Sequence, residues 1–124
     1  MIQKVLVIDD DMVSQNMQRT TLVQAGYSVI TASNGQEGIQ KAAEEMPDLI
    51  ILDILMPGMD GMEVASFLKT NLKTEKIPII FLSSLITERG KKNKSKNDTT
   101  TYLSKPYNRD ELLNEVKKYL LEKD

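Results

Sequence analysis

With 124 residues, 16 Lys and Arg against 18 Asp and Glu, and a net charge of -2, the chain has the size of one domain, spanning residues 1–124, that can bury a core without covalent staples. It has no cysteine and no histidine, which excludes disulfides, thiol chemistry, the usual zinc ligand sets and any triad built on an imidazole. The small acidic excess argues against coating nucleic acid, and no apolar run approaches the roughly 18 residues that cross a bilayer, so the expectation is a cytoplasmic protein with no membrane contact.

Lys4 to Ile8 reads as a first β-branched strand ending in three acids, Asp9, Asp10 and Asp11. Val13, Met17 and Leu22 then fall at helical spacing, and Gly26 stands where a helix C-terminal glycine belongs. Tyr27 to Ala32 alternates as a second strand, Asn34-Gly35 turns the chain, and Ile39, Ala42, Ala43 and Met46 mark a second helix ended by Pro47. Leu49 to Leu52 is a continuous apolar run of strand length that needs cover on both faces, as parallel strands have. Asp53 follows it, then Pro57, Gly58 and Gly61 break the chain, and Asp60 with Glu63 forms a capping box for a third helix carrying Val64, Ala65, Phe67, Leu68 and Leu72. Ile79 to Leu82 is a fourth strand ending in Ser83-Ser84, and Tyr102-Leu103 a short fifth one before Lys105-Pro106. Asn108 and Glu111 cap a last helix with Leu112, Leu113, Val116, Leu120 and Leu121. Strands alternating with helices in this way mean βαβ units and a doubly wound parallel sheet.

In such a sheet the strand ends deliver Asp9, Asp10, Asp53, Ser83 and Lys105 to one crevice, where open α/β folds bind ligands. Two unit charges about 4 Å apart repel by roughly 4 kcal/mol at an effective dielectric near 20, so three carboxylates gathered there require a cation. Oxygen ligands alone point to Mg²⁺, which commonly joins one or two carboxylates to a phosphate. A lysine and a hydroxyl beside it can pair with phosphoryl oxygens, and an aspartate can carry the group as an aspartyl phosphate. Asp53 could equally end a strand or cap a turn, Asp11 suits a helix cap better than a metal site, and Tyr102 could be an ordinary half-buried strand aromatic.

Taken together and in order, Asp9-Asp10, Asp53 within Leu-Asp-Ile-Leu-Met-Pro-Gly-Met-Asp-Gly, Ser83, and Tyr102-Leu-Ser-Lys105-Pro106-Tyr107 resemble the receiver domains of bacterial response regulators over essentially the whole chain. The resemblance implies a flavodoxin-like (βα)5 fold with a five-stranded parallel sheet of order 2-1-3-4-5. It implies that Asp53 accepts a phosphoryl group from a histidine kinase or histidine phosphotransferase. Asp10 would bind Mg²⁺ directly, Asp9 largely through water, and the backbone carbonyl of Leu55 would be a further ligand. Lys105 would pair with the phosphoryl oxygens, Ser83 would move to bond them with Tyr102 turning inward behind it, and Lys105-Pro106 would be a cis peptide.

One segment departs from the family. From Thr87 to Thr101 fifteen residues include no apolar side chain, where receivers place the fourth of five helices, and Asp98 and Thr99 replace a Gly-Ala pair. The expectation is an irregular or mobile fourth helix. Arg89, Lys91, Lys92, Lys94 and Lys96 against Glu88 and Asp98 give the segment a charge of +3. A solvated loop is the first explanation, partner recognition the second and nucleic-acid binding the last, for want of interleaved aromatics or a reading helix.

The chain therefore reads as a phosphorylation-dependent signalling switch, not a metabolic enzyme, read by an unidentified effector protein or by a second copy in a homodimer formed on phosphorylation. A rival reading is a pseudo-receiver acting as a constitutive interaction module. A third, a phosphohydrolase working through Asp53, lacks the second acid two residues on that would serve as general acid.

Overall fold

The strands form where the sequence concentrates β-branched and aliphatic residues, and their burial pattern shows which of them carry the sheet. In the computed structural model, which describes residues 2–83 and 100–120, the elements run β1 (Lys4–Ile8), α1 (Met12–Gln24), β2 (Ser28–Ala32), α2 (Gly35–Glu45), β3 (Leu49–Asp53), α3 (Gly61–Lys69), β4 (Ile79–Ser83), β5 (Thr100–Ser104) and α4 (Arg109–Leu120). The five strands make one parallel sheet of order β2-β1-β3-β4-β5. Every residue of β3 and β4 is buried, as the apolar runs require of central strands covered on both faces.

Side chains alternate across the sheet and divide the interior in two. Leu6, Ile8, Ile50, Leu52, Ile79 and Phe81 pack with Ala42 of α2 and Val64, Ala65 and Leu68 of α3. Val5, Val7, Leu49, Ile51, Ile80 and Leu82 pack on the other face with Leu22 of α1 and with Leu112, Leu113, Val116 and Leu120 of α4. Asp53 continues the alternation of Leu49 and Ile51, which places it on the α1/α4 side.

The caps match the sequence, with one exception. Asp11 caps α1 by accepting from Val13 N at 3.0 Å and Asp60 with Glu63 forms a capping box on α3, whereas Asn34, read only as a turn residue, proves to be the cap of α2. Asn108 and Glu111 exchange bonds of 2.8 and 3.1 Å at the start of α4.

Several expected core positions are corrected. Val13 and Met17 are 68% and 66% exposed, and the buried face of α1 is Gln15, Gln18 and Leu22. The helix is turned this way because Gln15 bonds the carbonyls of Asp9 and Ala32 at the strand ends, polar partners that aliphatic side chains cannot satisfy. Met46 is exposed because it adopts the left-handed conformation that ends α2. Phe67 falls outside the stripe set by Val64, Ala65 and Leu68, Leu72 lies beyond the end of α3, and both are exposed. β2 begins at Ser28 rather than Tyr27, and β5 is longer than Tyr102-Leu103: Thr100 and Thr101 belong to it, paired with Ile79 and Ile80. The irregular fourth helix expected after β4 lies outside the described residues, as do Ser84, residues 87–99 of the polar segment, and Leu121.

Candidate functional site

Asp9 directly follows β1 and Asp53 ends β3, and because these strands are neighbours in parallel register the two carboxylates meet at the same edge of the sheet. Asp10 joins them: one carboxylate oxygen from each of Asp9, Asp10 and Asp53 lies within 4.8 Å of the others. Lys105, just past β5, reaches over from the far side of β4. Its Nζ donates to Asp53 Oδ2 at 3.2 Å and stands 3.8 Å from Asp9 Oδ2. The Lys105–Pro106 peptide is cis. Ser83 ends β4, fully buried, and its carbonyl accepts Lys105 N at 3.1 Å.

The three acids differ in how their oxygens are occupied. Asp9 is fully buried and accepts from Asp11 N at 3.0 Å on Oδ1, and on Oδ2 from Ser14 Oγ at 2.8 Å and Gln18 Nε2 at 3.0 Å. Asp53 accepts from Leu55 N at 3.2 Å and from Lys105. Asp10 is exposed, and its carboxylate accepts no hydrogen bond among the described residues. An all-oxygen set of this kind fits a hard divalent cation such as Mg²⁺, with Asp10 the most open ligand.

Burial raises the Asp53 carboxyl above its ordinary range, Lys105 opposes that rise, and Asp9 adds to it. An acid raised in the folded state contributes stability below its unfolded pKa and loses it as pH climbs through the folded value. Asp53→Asn is therefore expected to raise the metal-free melting temperature at pH 7 by about 4 °C, the shift that ~1 kcal/mol produces in a domain of this size. The gain should shrink at pH 4. Calorimetry in chelator tests this, and a lowered melting temperature at pH 7 contradicts it.

Tyr107 lies beside the site in a cleft of about 320 Å³ bounded by Val13, Ser14, Met17 and Lys105. Its phenol is pushed up to about 12 by burial and by the charges of Asp9 and Asp53. Tyr102 points to the other side of the sheet, where its ring stacks on Phe81 with centroids 5.1 Å apart and a 21° interplanar angle. The structure thus gathers Asp9, Asp10, Asp53 and Lys105, sets Ser83 at the adjoining strand end, leaves Leu55 exposed after Asp53, and holds Tyr102 two residues back from that edge. The sequence reading missed Ser14 and Gln18. Their signal is a pair of polar side chains one helical turn apart, starting five residues after Asp9.

Known proteins are similar to this chain in sequence and in fold. Protein PilG of Pseudomonas aeruginosa is 35% identical over 120 residues, covering 94% of this chain and 87% of PilG. The chain spans 49% and 50% of two further curated relatives, which are thus about twice as long. Among solved structures, the chemotaxis protein CheY4 of Vibrio cholerae superposes with a TM-score of 0.86 at 33% identity, covering 97% of this chain and 100% of CheY4. The receiver domain of the sensor histidine kinase PA1611 of Pseudomonas aeruginosa, described with a magnesium ion in its active-site cleft, superposes with a TM-score of 0.82 at 25% identity, covering 96% of this chain and 98% of that domain. The profile of the response regulator receiver domain matches residues 5–117, and with the sheet order and the strand-end acids it establishes that this chain belongs to the response regulator receiver domain family.

Proposed function

We propose that the chain is the phosphoacceptor module of a two-component phosphorelay, with Asp53 as the accepting residue. The observation that carries this reading is the pairing of Asp53 Oδ2 with Lys105 Nζ at 3.2 Å inside a cluster of three carboxylates. Receiver domains are signalling modules that work with histidine kinases and downstream effectors, and the donor here is a phosphohistidine of a kinase or a histidine phosphotransferase. A carboxylate oxygen of Asp53 forms the new P–O bond as the P–N bond breaks, and the electron pair and a proton go to the departing imidazole.

Asp10, Asp53 and the Leu55 carbonyl, with Asp9 behind them, would hold Mg²⁺, which neutralises charge on the transferring phosphoryl group. Lys105 supplies the protein's own positive charge to the phosphoryl oxygens. Ser83, at the end of β4, donates its hydroxyl to them, and Tyr102 follows by leaving its place on Phe81. Contacts made only in the phosphorylated form shift the population between two conformations. An effector protein, or a second copy of the chain, reads the result.

Incubation with acetyl phosphate and Mg²⁺ followed by intact-mass measurement tests the chemistry. The chain is expected to gain one phosphoryl group and Asp53→Ala none. A folded chain that gains nothing would instead be an interaction module without phosphotransfer.

A further inference from the structure

We infer that Ser14 and Gln18 are positioning residues for the cation site: from one face of α1 they fix the orientation of Asp9 and so set the affinity for Mg²⁺. The inference rests on the receiver reading above and concerns residues outside the acid, lysine and strand-end hydroxyl positions.

An ionised carboxylate offers about four acceptor positions. On Asp9 three are occupied by protein donors, with Ser14 Oγ and Gln18 Nε2 both on Oδ2 and Asp11 N on Oδ1. Among the described residues one position remains, on Oδ1. Oδ2, which also stands 3.8 Å from Lys105 Nζ, is held by the hydroxyl and the amide together, and Oδ1 is the oxygen left for a cation. Gln18 also donates to Ser14 Oγ at 3.1 Å, so the two donors are linked to each other as well as to the acid. Gln15 secures the same residue from behind through the Asp9 carbonyl, at 3.0 Å.

A second observation indicates that Gln18 is not there for packing. It is 1% exposed, yet its Oε1 has no partner among the described residues. Turning the amide over would set that oxygen against Asp9 Oδ2, so the amide is locked with its nitrogen toward the acid and its oxygen unmatched. A methionine would fill the same space without burying an unpaired acceptor. The amide's benefit is the bond to Asp9.

Loss of groups that orient a metal-bound ligand typically lowers affinity 10–100-fold. The test titrates Mg²⁺ alone into the full chain by isothermal calorimetry and follows the melting temperature with and without Mg²⁺. Gln18→Met is expected to bind Mg²⁺ at least about 10-fold more weakly, with a cooperative melt in chelator showing that the variant is folded. Ser14→Val should weaken binding in the same direction, and Ser14→Thr, which restores a hydroxyl on the same shape, should recover most of it. This pair keeps the test decisive if Gln18→Met does not fold. Unchanged or tighter Mg²⁺ binding in Gln18→Met and Ser14→Val overturns the inference, because the donors would then be bystanders or competitors of the cation. Failure of the unmodified chain to bind Mg²⁺ overturns the cation site itself, a result distinct from equal binding by all variants.

Discussion

Lys105→Met is expected to destabilise the metal-free protein by about 2 kcal/mol at pH 7 and to slow phosphorylation by acetyl phosphate on the order of 100-fold. The ammonium group stands 3.2 Å from Asp53 and 3.8 Å from Asp9, whose side chains are 8% and 0% exposed. Removing one member of a fully buried pair costs about 3–5 kcal/mol. Here the lysine side chain is 27% exposed, so solvent screens part of the interaction and the smaller figure applies. The pH dependence follows from Asp53. Lys105 holds its carboxyl down against burial, so without the lysine that carboxyl rises further and the charged form becomes the costly one. The penalty should therefore be larger at pH 8 than at pH 4, and Mg²⁺ should return part of the lost stability by standing in as the positive charge. Urea unfolding at the two pH values, with chelator and with Mg²⁺, measures all of this. A midpoint unchanged at pH 7 would show that the lysine is solvated and contributes nothing to the acids.

Gly61→Ala should cost about 3 kcal/mol, at the upper end of what overpacking does, and should impair phosphorylation as well. A Cβ at Gly61 would lie 2.4 Å from the Asp53 carbonyl oxygen and 2.7 Å from Ile54 Cα. Both are backbone atoms of the strand end that carries Asp53, so relief can come only by moving that strand end or the start of α3. Gly61 N also donates to the Ile54 carbonyl at 2.9 Å, closing the loop that follows Asp53. This close approach is a use only glycine serves. Gly58 is the control within the same loop: its φ of 78° strains an alanine, but no atom lies within 4 Å of an added Cβ. Gly58→Ala should cost only about 1 kcal/mol and leave the acids in place. Denaturant unfolding of both variants decides the matter, and equal costs would mean that the loop, not the strand end, absorbs the Gly61 substitution.

The sheet was legible because the apolar runs at Leu49 to Leu52 and Ile79 to Leu82 are too short and too apolar for anything but buried parallel strands. The acid cluster was legible for a related reason. Asp9 and Asp53 each stand at the end of such a run, and a doubly wound order makes β1 and β3 neighbours. The orientation of α1 was not. Val13 and Met17 form as good a helical stripe as Gln15 and Gln18, and only the strand-end carbonyls and the buried acid decide in favour of the glutamines. Nor was the full length of β5, since Thr100 and Thr101 continue a polar segment. Their β-branched side chains were the available signal, and it was outweighed by the absence of aliphatic neighbours. Tyr102 belongs to the same class: its spacing permitted either a strand aromatic or a mobile group, and its stacking on Phe81 depends on a cross-strand register that sequence does not state.

The two helices that share a face of the sheet are attached to it in different ways. α4 sinks four aliphatic side chains into the core, whereas α1 sinks one, Leu22, and is otherwise tethered by glutamine amides to carbonyls and to Asp9. Wetting a single leucine costs about 1.5–3 kcal/mol, far less than wetting four aliphatic side chains. That face of the sheet is thus built to open unevenly, with α1 lifting before α4, while β3 and β4 are buried along their whole length. The acid crevice lies on that seam: one wall can breathe while the strand that holds Asp53 stays folded.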